Sequence, residues 1–131
     1  MCSMRLTLVA SAVICSASRS TRLLRDRCHR LRSPLVYVPC DHSLTAVRVT
    51  GSRFDVAWRS PDFRSGSPIV AAGLVWDFDF EGGYLWGLDP GSGAVRQKVA
   101  VGYGEHFVSL SSSSGRLYVP ARRNLFAFSL N

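Results

Sequence analysis

The sequence predicts an all-β fold: an incomplete β-propeller of antiparallel blades, with a basic, poorly structured or helical N-terminal leader. Three observations predict it. The first is a period of about forty residues. Tyr37-Val38-Pro39 returns as Tyr118-Val119-Pro120, and Trp76 holds the aromatic position between them. Leu44, Leu85 and Leu125 keep the same beat at spacings of 41 and 40, each two residues before a small residue, Ala46, Gly87 or Ala127. A fixed period of that length marks a propeller blade or another repeat array. The second is texture. From Ser33 onward, short runs rich in β-branched and aromatic residues are separated by turn signals. The third is that no helical periodicity of useful length occurs outside the leader.

Taken in order, the leader (residues 1–32) comes first. It carries Arg5, Arg19, Arg22, Arg25, Arg27, Arg30 and Arg32 against Asp26 alone, a balance of +6 out of the chain's +7. Three readings of it stand. Arg5, the apolar run Leu6 to Ile14 and then Cys15-Ser16-Ala17 resemble a secretory signal, which favours a secreted or cell-envelope placement. The arginine- and serine-rich stretch Ser18 to Arg32 resembles a transit peptide. The abrupt change of charge near Ser33 also suits untranslated or misassigned sequence joined to the repeats. The apolar run is about nine residues, too short to span a bilayer. Cys2, Cys15, Cys28 and Cys40 show no C-x-x-C spacing, so they read as small thiols rather than as a zinc or redox motif.

The repeat region, residues 33–131, divides into units of approximately 33–65, 66–104 and 105–131. In the first, Leu35 to Pro39, Leu44 to Thr50 and Phe54 to Arg59 read as strands. The second is the most complete. Ser67 to Ala71 leads through a tight Ala72-Gly73 turn into Leu74 to Phe80, and Gly82-Gly83 turns the chain into Tyr84 to Leu88. Asp89-Pro90-Gly91-Ser92-Gly93 is a turn with a mechanism, since Pro90 presets φ and Asp89 accepts local backbone bonds. Ala94 to Val101 completes four strands. In the third unit, His106 to Leu110 reads as a strand, Ser111 to Gly115 as a turn, and Arg116 to Val119 pairs with Leu125 to Leu130.

Propellers close with four to eight blades. Two and a half blades leave open faces and unpaired edges. The expectation is a fragment of a larger propeller, or a chain whose missing blades come from a protein partner. The repeats hold nine basic and eight acidic residues. They therefore carry no excess field to draw phosphate, which speaks against nucleic acid as a partner.

The turn of the second unit carries a family resemblance. Gly87, Asp89, Ser92 and Gly93 are spaced as in A-x-D-x-x-T-G-K-x-x-W, the signature that the pyrroloquinoline-quinone-like (PQQ-like) β-propeller repeat is known by. Ala94 stands at the lysine position and Gln97 at the tryptophan position. In the first unit Ala46, Gly51 and Trp58 echo the motif, with Arg48 at the Asp position and Trp58 seven residues after Gly51 instead of four. In the third, Ala127 matches and Ser129 replaces Asp. The resemblance covers residues 33–131. It implies that the tryptophan docks one blade on its neighbour, so that Gln97 implies a looser junction. It implies no cofactor by itself, because many members are non-catalytic scaffolds. In the members that are quinoprotein dehydrogenases, quinone and calcium are held by residues scattered over a full ring.

Candidate chemistry is sparse. Asp77, Asp79 and Glu81 alternate with Phe78 and Phe80, so one strand directs three carboxylates to a single face. Such a cluster suits calcium. The simpler reading is a solvated acidic face opposite buried Phe78 and Phe80, with Arg96 as a cross-strand counter-ion. His42 and His106 lie near strand ends without a nucleophile motif, and Glu105-His106 would point to opposite faces of a strand. Trp58, Trp76 and Trp86 read as packing residues. The resulting expectation is a non-catalytic propeller segment, without cofactor, acting as scaffold or protein-interaction surface. The alternative is a fragment of a PQQ-dependent quinoprotein oxidoreductase, with PQQ and calcium as cofactors.

Overall fold

The computed structural model describes residues 35–130. The leader, with its three readings, lies outside those residues, as do Cys2, Cys15, Cys28 and His29. Ten strands form three antiparallel sheets, and no helix occurs among the described residues. The chain is all-β. The first sheet runs β1 (Leu35–Cys40), β2 (Ser43–Thr50), β3 (Arg53–Arg59). The second runs β4 (Ile69–Ala71), β5 (Leu74–Asp79), β6 (Tyr84–Leu88), β7 (Val95–Ala100). The third contains β8 (Ser111–Ser113), β9 (Arg116–Ala121) and β10 (Asn124–Ser129). In each, strands adjacent in sequence are adjacent in the sheet.

The three sheets share a register. Tyr37 sits directly opposite Ala46, Trp76 opposite Gly87 and Tyr118 opposite Ala127. A broad ring needs a small cross-strand partner on the same face. At Gly87 the need is acute, because a Cβ there would lie 2.9 Å from the Trp76 ring. The next strand also repeats. Ala46 pairs with Trp58 and Val47 with Val56, skipping Ala57, while Gly87 pairs with Gln97 and Leu88 with Val95, skipping Arg96. Strands β3 and β7 therefore carry one extra residue at the same place. From Ala46 to Trp58 the chain runs two residues further than from Gly87 to Gln97, with a longer ladder and a tighter turn at Gly51, an even difference that preserves the inward face and still delivers Trp58 opposite Ala46.

The core lies between the sheets, in two clusters. Leu44, Ala46 and Trp58 of the first sheet meet Val75, Trp86 and Leu88 of the second, with Phe63 from the connection. On the opposite face of the second sheet, Trp76, Phe78 and Leu85 meet Leu117, Val119 and Ala121 of the third. The middle sheet is thus covered on both faces, which explains why β5 reads as an almost continuous buried run.

The third unit departs from the sequence reading. Residues 106–110 form no strand. Phe107 takes φ +70 and is 97 % exposed, and only an isolated parallel bridge joins Ser67 to Ser109. The first strand is instead Ser111–Ser113, expected to be a turn, and it pairs with Leu117 and its neighbours. Three serines bury nothing, so the ladder to β9 alone makes this segment a strand. The turn proper is Ser114-Gly115, both at positive φ.

Candidate functional site

The most elaborate polar arrangement is the turn after β6. Asp89 Oδ1 accepts from the Gly91 amide at 3.0 Å, the Ser92 amide at 3.0 Å and the Ser92 hydroxyl at 2.9 Å. Arg96 Nη2 donates to Oδ2 at 3.4 Å. These donors, the Ser92 hydroxyl foremost, hold the Asp89 carboxyl below its ordinary value, because each favours the charged form. The backbone closes the same turn, with the Gly93 amide donating to the Asp89 carbonyl at 2.8 Å. The side chain of Asp89 does here what a helix N-cap does, satisfying amides that have no ladder partner.

So fixed, the turn presents one carbonyl to the first sheet. Trp58 Nε1 donates to Pro90 O at 2.9 Å and the Tyr37 hydroxyl reaches the same oxygen at 3.4 Å. The Trp58 ring lies directly on Gly93, where a Cβ would come within 2.4 Å of it, and Gly93 takes φ +72. Tyr37 packs against Trp58 with ring centroids 5.7 Å apart. Burial, followed by the charge of Asp89, pushes the Tyr37 phenol above its ordinary value. Ala46, Trp58, Asp89, Ser92 and Gly93 therefore converge at the junction of the first and second sheets, while Gly87 faces the other way, against Trp76 and the third sheet. Gly51 and Ala127 do not join them. Gly51 sits in the tight turn after β2 at φ +59 with open space around it, and Ala127 lies exposed on β10.

The corresponding position in the second sheet is Gln97, and the junction with the third sheet is open there. A gap of about 280 Å³ is lined by Gln97, Trp76, Leu85, Val99, Phe128 and Leu130, among others. Trp76 fills part of the junction, its Nε1 donating to Ala71 O at 3.1 Å. Trp86 stacks on Phe63 at 5.0 Å, with the Lys98 ammonium 4.1 Å above its ring. All three tryptophans are under a tenth exposed.

The acidic strand differs from the solvated face expected of it. Asp77 is 0 % and Asp79 6 % exposed, since their side of β5 is the one turned to the first sheet. Strand β5 ends at Asp79, so Phe80 and Glu81 belong to the following turn. Each carboxylate secures a loop. Ser65 Oγ donates to Asp77 Oδ2, and the Gly66 amide donates to Oδ1 at 2.9 Å. The Gly82 amide donates to Asp79 Oδ1 at 2.8 Å, and Arg64 Nε to Glu81 Oε2 at 3.1 Å. Arg96, the expected counter-ion of this strand, pairs with Asp89 instead. Burial raises the Asp77 carboxyl to about 6, against the lowering effect of its hydrogen bonds. Among the described residues, no group of three or more His, Cys, Asp or Glu is placed to hold a metal ion. No helix there is long and apolar enough to cross a membrane.

A groove of about 1040 Å³ opens beside the β1–β2 hairpin, walled by His42, Arg59, Arg64, Ser65, Phe80 and His106 among others. Two groups of its wall, Arg64 and His42, are paired with carboxylates. Arg64 joins Glu81 and, at 3.6 Å, Asp41, while His42 faces Asp62 at 3.3 Å. His106 stacks on Phe80 at 4.5 Å between ring centroids. The sequence located the Asp89 turn through its motif. It had no signal for Pro90 O as the anchor, because a backbone carbonyl leaves no mark in residue type. The chain matches no protein-family model and no curated protein.

Proposed function

We propose that the repeats are blades of a PQQ-like β-propeller and that they serve as a non-catalytic scaffold or protein-interaction surface. The observation carrying this reading is the junction of Trp58 with the Asp89–Gly93 turn. Three donors to Asp89 Oδ1 fix this turn, and Gly93, at φ +72 with the Trp58 ring where a Cβ would lie, seats one sheet on the next. The shared register of Tyr37, Trp76 and Tyr118 supports stacked equivalent units, as blades require. The pairing of charged groups around the groove, and the loop-securing bonds of Asp77, Asp79 and Glu81, support a structural use of polar residues. A protein partner or further blades would complete the ring.

The second reading, a part of a quinone-dependent oxidoreductase with calcium, is favoured by the size of the groove and the presence of Arg59 and His42 in its wall. Titration separates the two. Purified protein is mixed with PQQ and calcium while quinone absorbance and the melting midpoint are followed. Under the scaffold reading neither moves. A saturable change in either overturns it in favour of the oxidoreductase.

A further inference from the structure

Equivalent positions in the three sheets differ sharply in exposure, and only at the two ends of the stack. Val36, Val75 and Leu117 each precede the aromatic of their hairpin. Val75 and Leu117 are 0 % exposed, whereas Val36 is 49 % exposed. Leu44, Leu85 and Leu125 each precede the small residue by two. Leu44 is 0 % and Leu85 1 % exposed, whereas Leu125 is 67 % exposed. The Val36 side of the first sheet continues into Phe54 and Val56, 51 % and 56 % exposed, with no charged residue opposite them in the register. The Leu125 side of the third sheet carries Tyr118 opposite Ala127 and Pro120 opposite Leu125. One end is therefore a face of the kind that Val75 and Leu117 bury, and the other a face of the kind that Leu44 and Leu85 bury. The chain joins those two kinds of face twice within itself.

We propose that a second copy of this chain supplies the missing neighbour, with the third sheet of each copy packing on the first sheet of the other. This rests on the propeller reading above. Two copies contribute six sheets, within the four to eight that close a propeller. A head-to-tail contact made twice then closes a two-fold ring instead of growing into a fibre. The order of the faces decides the arrangement, because like faces meet nowhere in the chain while unlike faces meet at both internal junctions. A three-stranded sheet about 20 Å long and 14 Å wide has a face of about 280 Å², so the two contacts of the ring, four faces in all, bury roughly 1,100 Å². That is the lower bound for a specific interface, so association belongs in the micromolar range.

The test uses the full chain. Sedimentation equilibrium between about 1 and 200 μM, a range bracketing micromolar association, is expected to show the mass rising from 14.4 kDa towards twice that value. Val36→Arg and Leu125→Arg alter exposed positions, so each is expected to keep the circular dichroism and melting of the parent and to remain monomeric. An equimolar mixture of the two restores one intact contact, so at the top of the range its mass is expected to exceed that of either variant alone. The first retains an intact third-sheet face, and the second an intact first-sheet face. A parent that stays monomeric overturns the pairing. So does dimerisation of Leu125→Arg alone, which would mean that first-sheet faces pair with each other, and so does a mixture that fails to recombine. None of these results touches the internal junction of Trp58 with Gly93, so the propeller reading is judged separately, by the glycine substitutions described below.

Discussion

Asp77 is a buried carboxyl group in a sheet stack, and among the described residues its support is the Ser65 hydroxyl and the Gly66 and Phe78 amides. Folding raises it from 3.8 to about 6, so the native state binds a proton more readily than the unfolded chain. Stability from this group is therefore full below about pH 4 and is lost as pH rises through 6. Linkage gives a loss of about 1 kcal/mol between pH 5 and 7, and about 3 kcal/mol from the acid limit. Asp89 acts in the opposite direction, so the measurement is comparative. Urea unfolding of Asp77→Asn across pH 4–7 is expected to lack that decline, with stability at pH 7 equal to or above the parent's. A decline that persists in the variant would assign it elsewhere. Gly93 poses the second question at this scale. Alanine at Gly51 meets only the cost of a left-handed backbone, about 1 kcal/mol, since nothing lies within 4 Å. Alanine at Gly93 meets the same backbone cost and also drives a methyl into the Trp58 ring. Gly93→Ala is expected to lose about 1–3 kcal/mol more than Gly51→Ala. Equal losses would mean that Trp58 is not seated on the turn, and the proposed blade junction would fall with it.

Between elements, the two internal junctions differ at one register position. Trp58 closes the first, and Gln97 at the same register position leaves the second with its gap. Gln97→Trp places an indole beside Trp76, Leu85 and Phe128, and Ala46 opposite Trp58 shows that a small partner such as Gly87 accommodates the ring. Calorimetry is expected to show stabilisation of about 1–2 kcal/mol from the added apolar burial, with Gln97→Ala nearly neutral. A destabilised tryptophan variant would show that the third sheet has set its distance to the smaller residue. Why some elements were legible from residues alone follows from the same geometry. Tyr84 to Leu88 was readable to its ends because the apolar run and the flanking turns are written in residue type. Asp89 was readable as a turn former for the same reason. Ser111–Ser113 was not, since its strand character comes from pairing with β9, a tertiary circumstance. The burial of Asp77 and Asp79 was also hidden. Alternation places them on one face but cannot say that the first sheet covers that face. The bond from Trp58 to Pro90 spans 32 residues, a separation at which no local pattern operates.

At the scale of the whole molecule, the two core clusters share no residue. The first sheet is held by the second, the third is held by the second, and neither end holds the other through the core. In such a stack stability is a sum of sheet terms and nearest-neighbour junction terms. Opening an end sheet breaks one junction, while opening the middle sheet breaks two. The burial of the strands follows the same order, with β5 and β6 almost wholly buried and β3, β7 and β8 largely exposed. Hydrogen exchange, at concentrations where the chain is monomeric, is expected to show the slowest amides in β5 and β6, exchanging only through global unfolding. Amides of β3 and β8 are expected to exchange first. Trp58→Ala sharpens the test, because removing a buried tryptophan costs about 3–5 kcal/mol and here the cost falls on one junction. Exchange in β1 to β3 should rise several-hundred-fold while β9 and β10 stay as in the parent. If β9 and β10 accelerate equally, the three sheets unfold as one unit. The junctions would then be coupled through contacts outside the two clusters, such as the Ser67–Ser109 bridge.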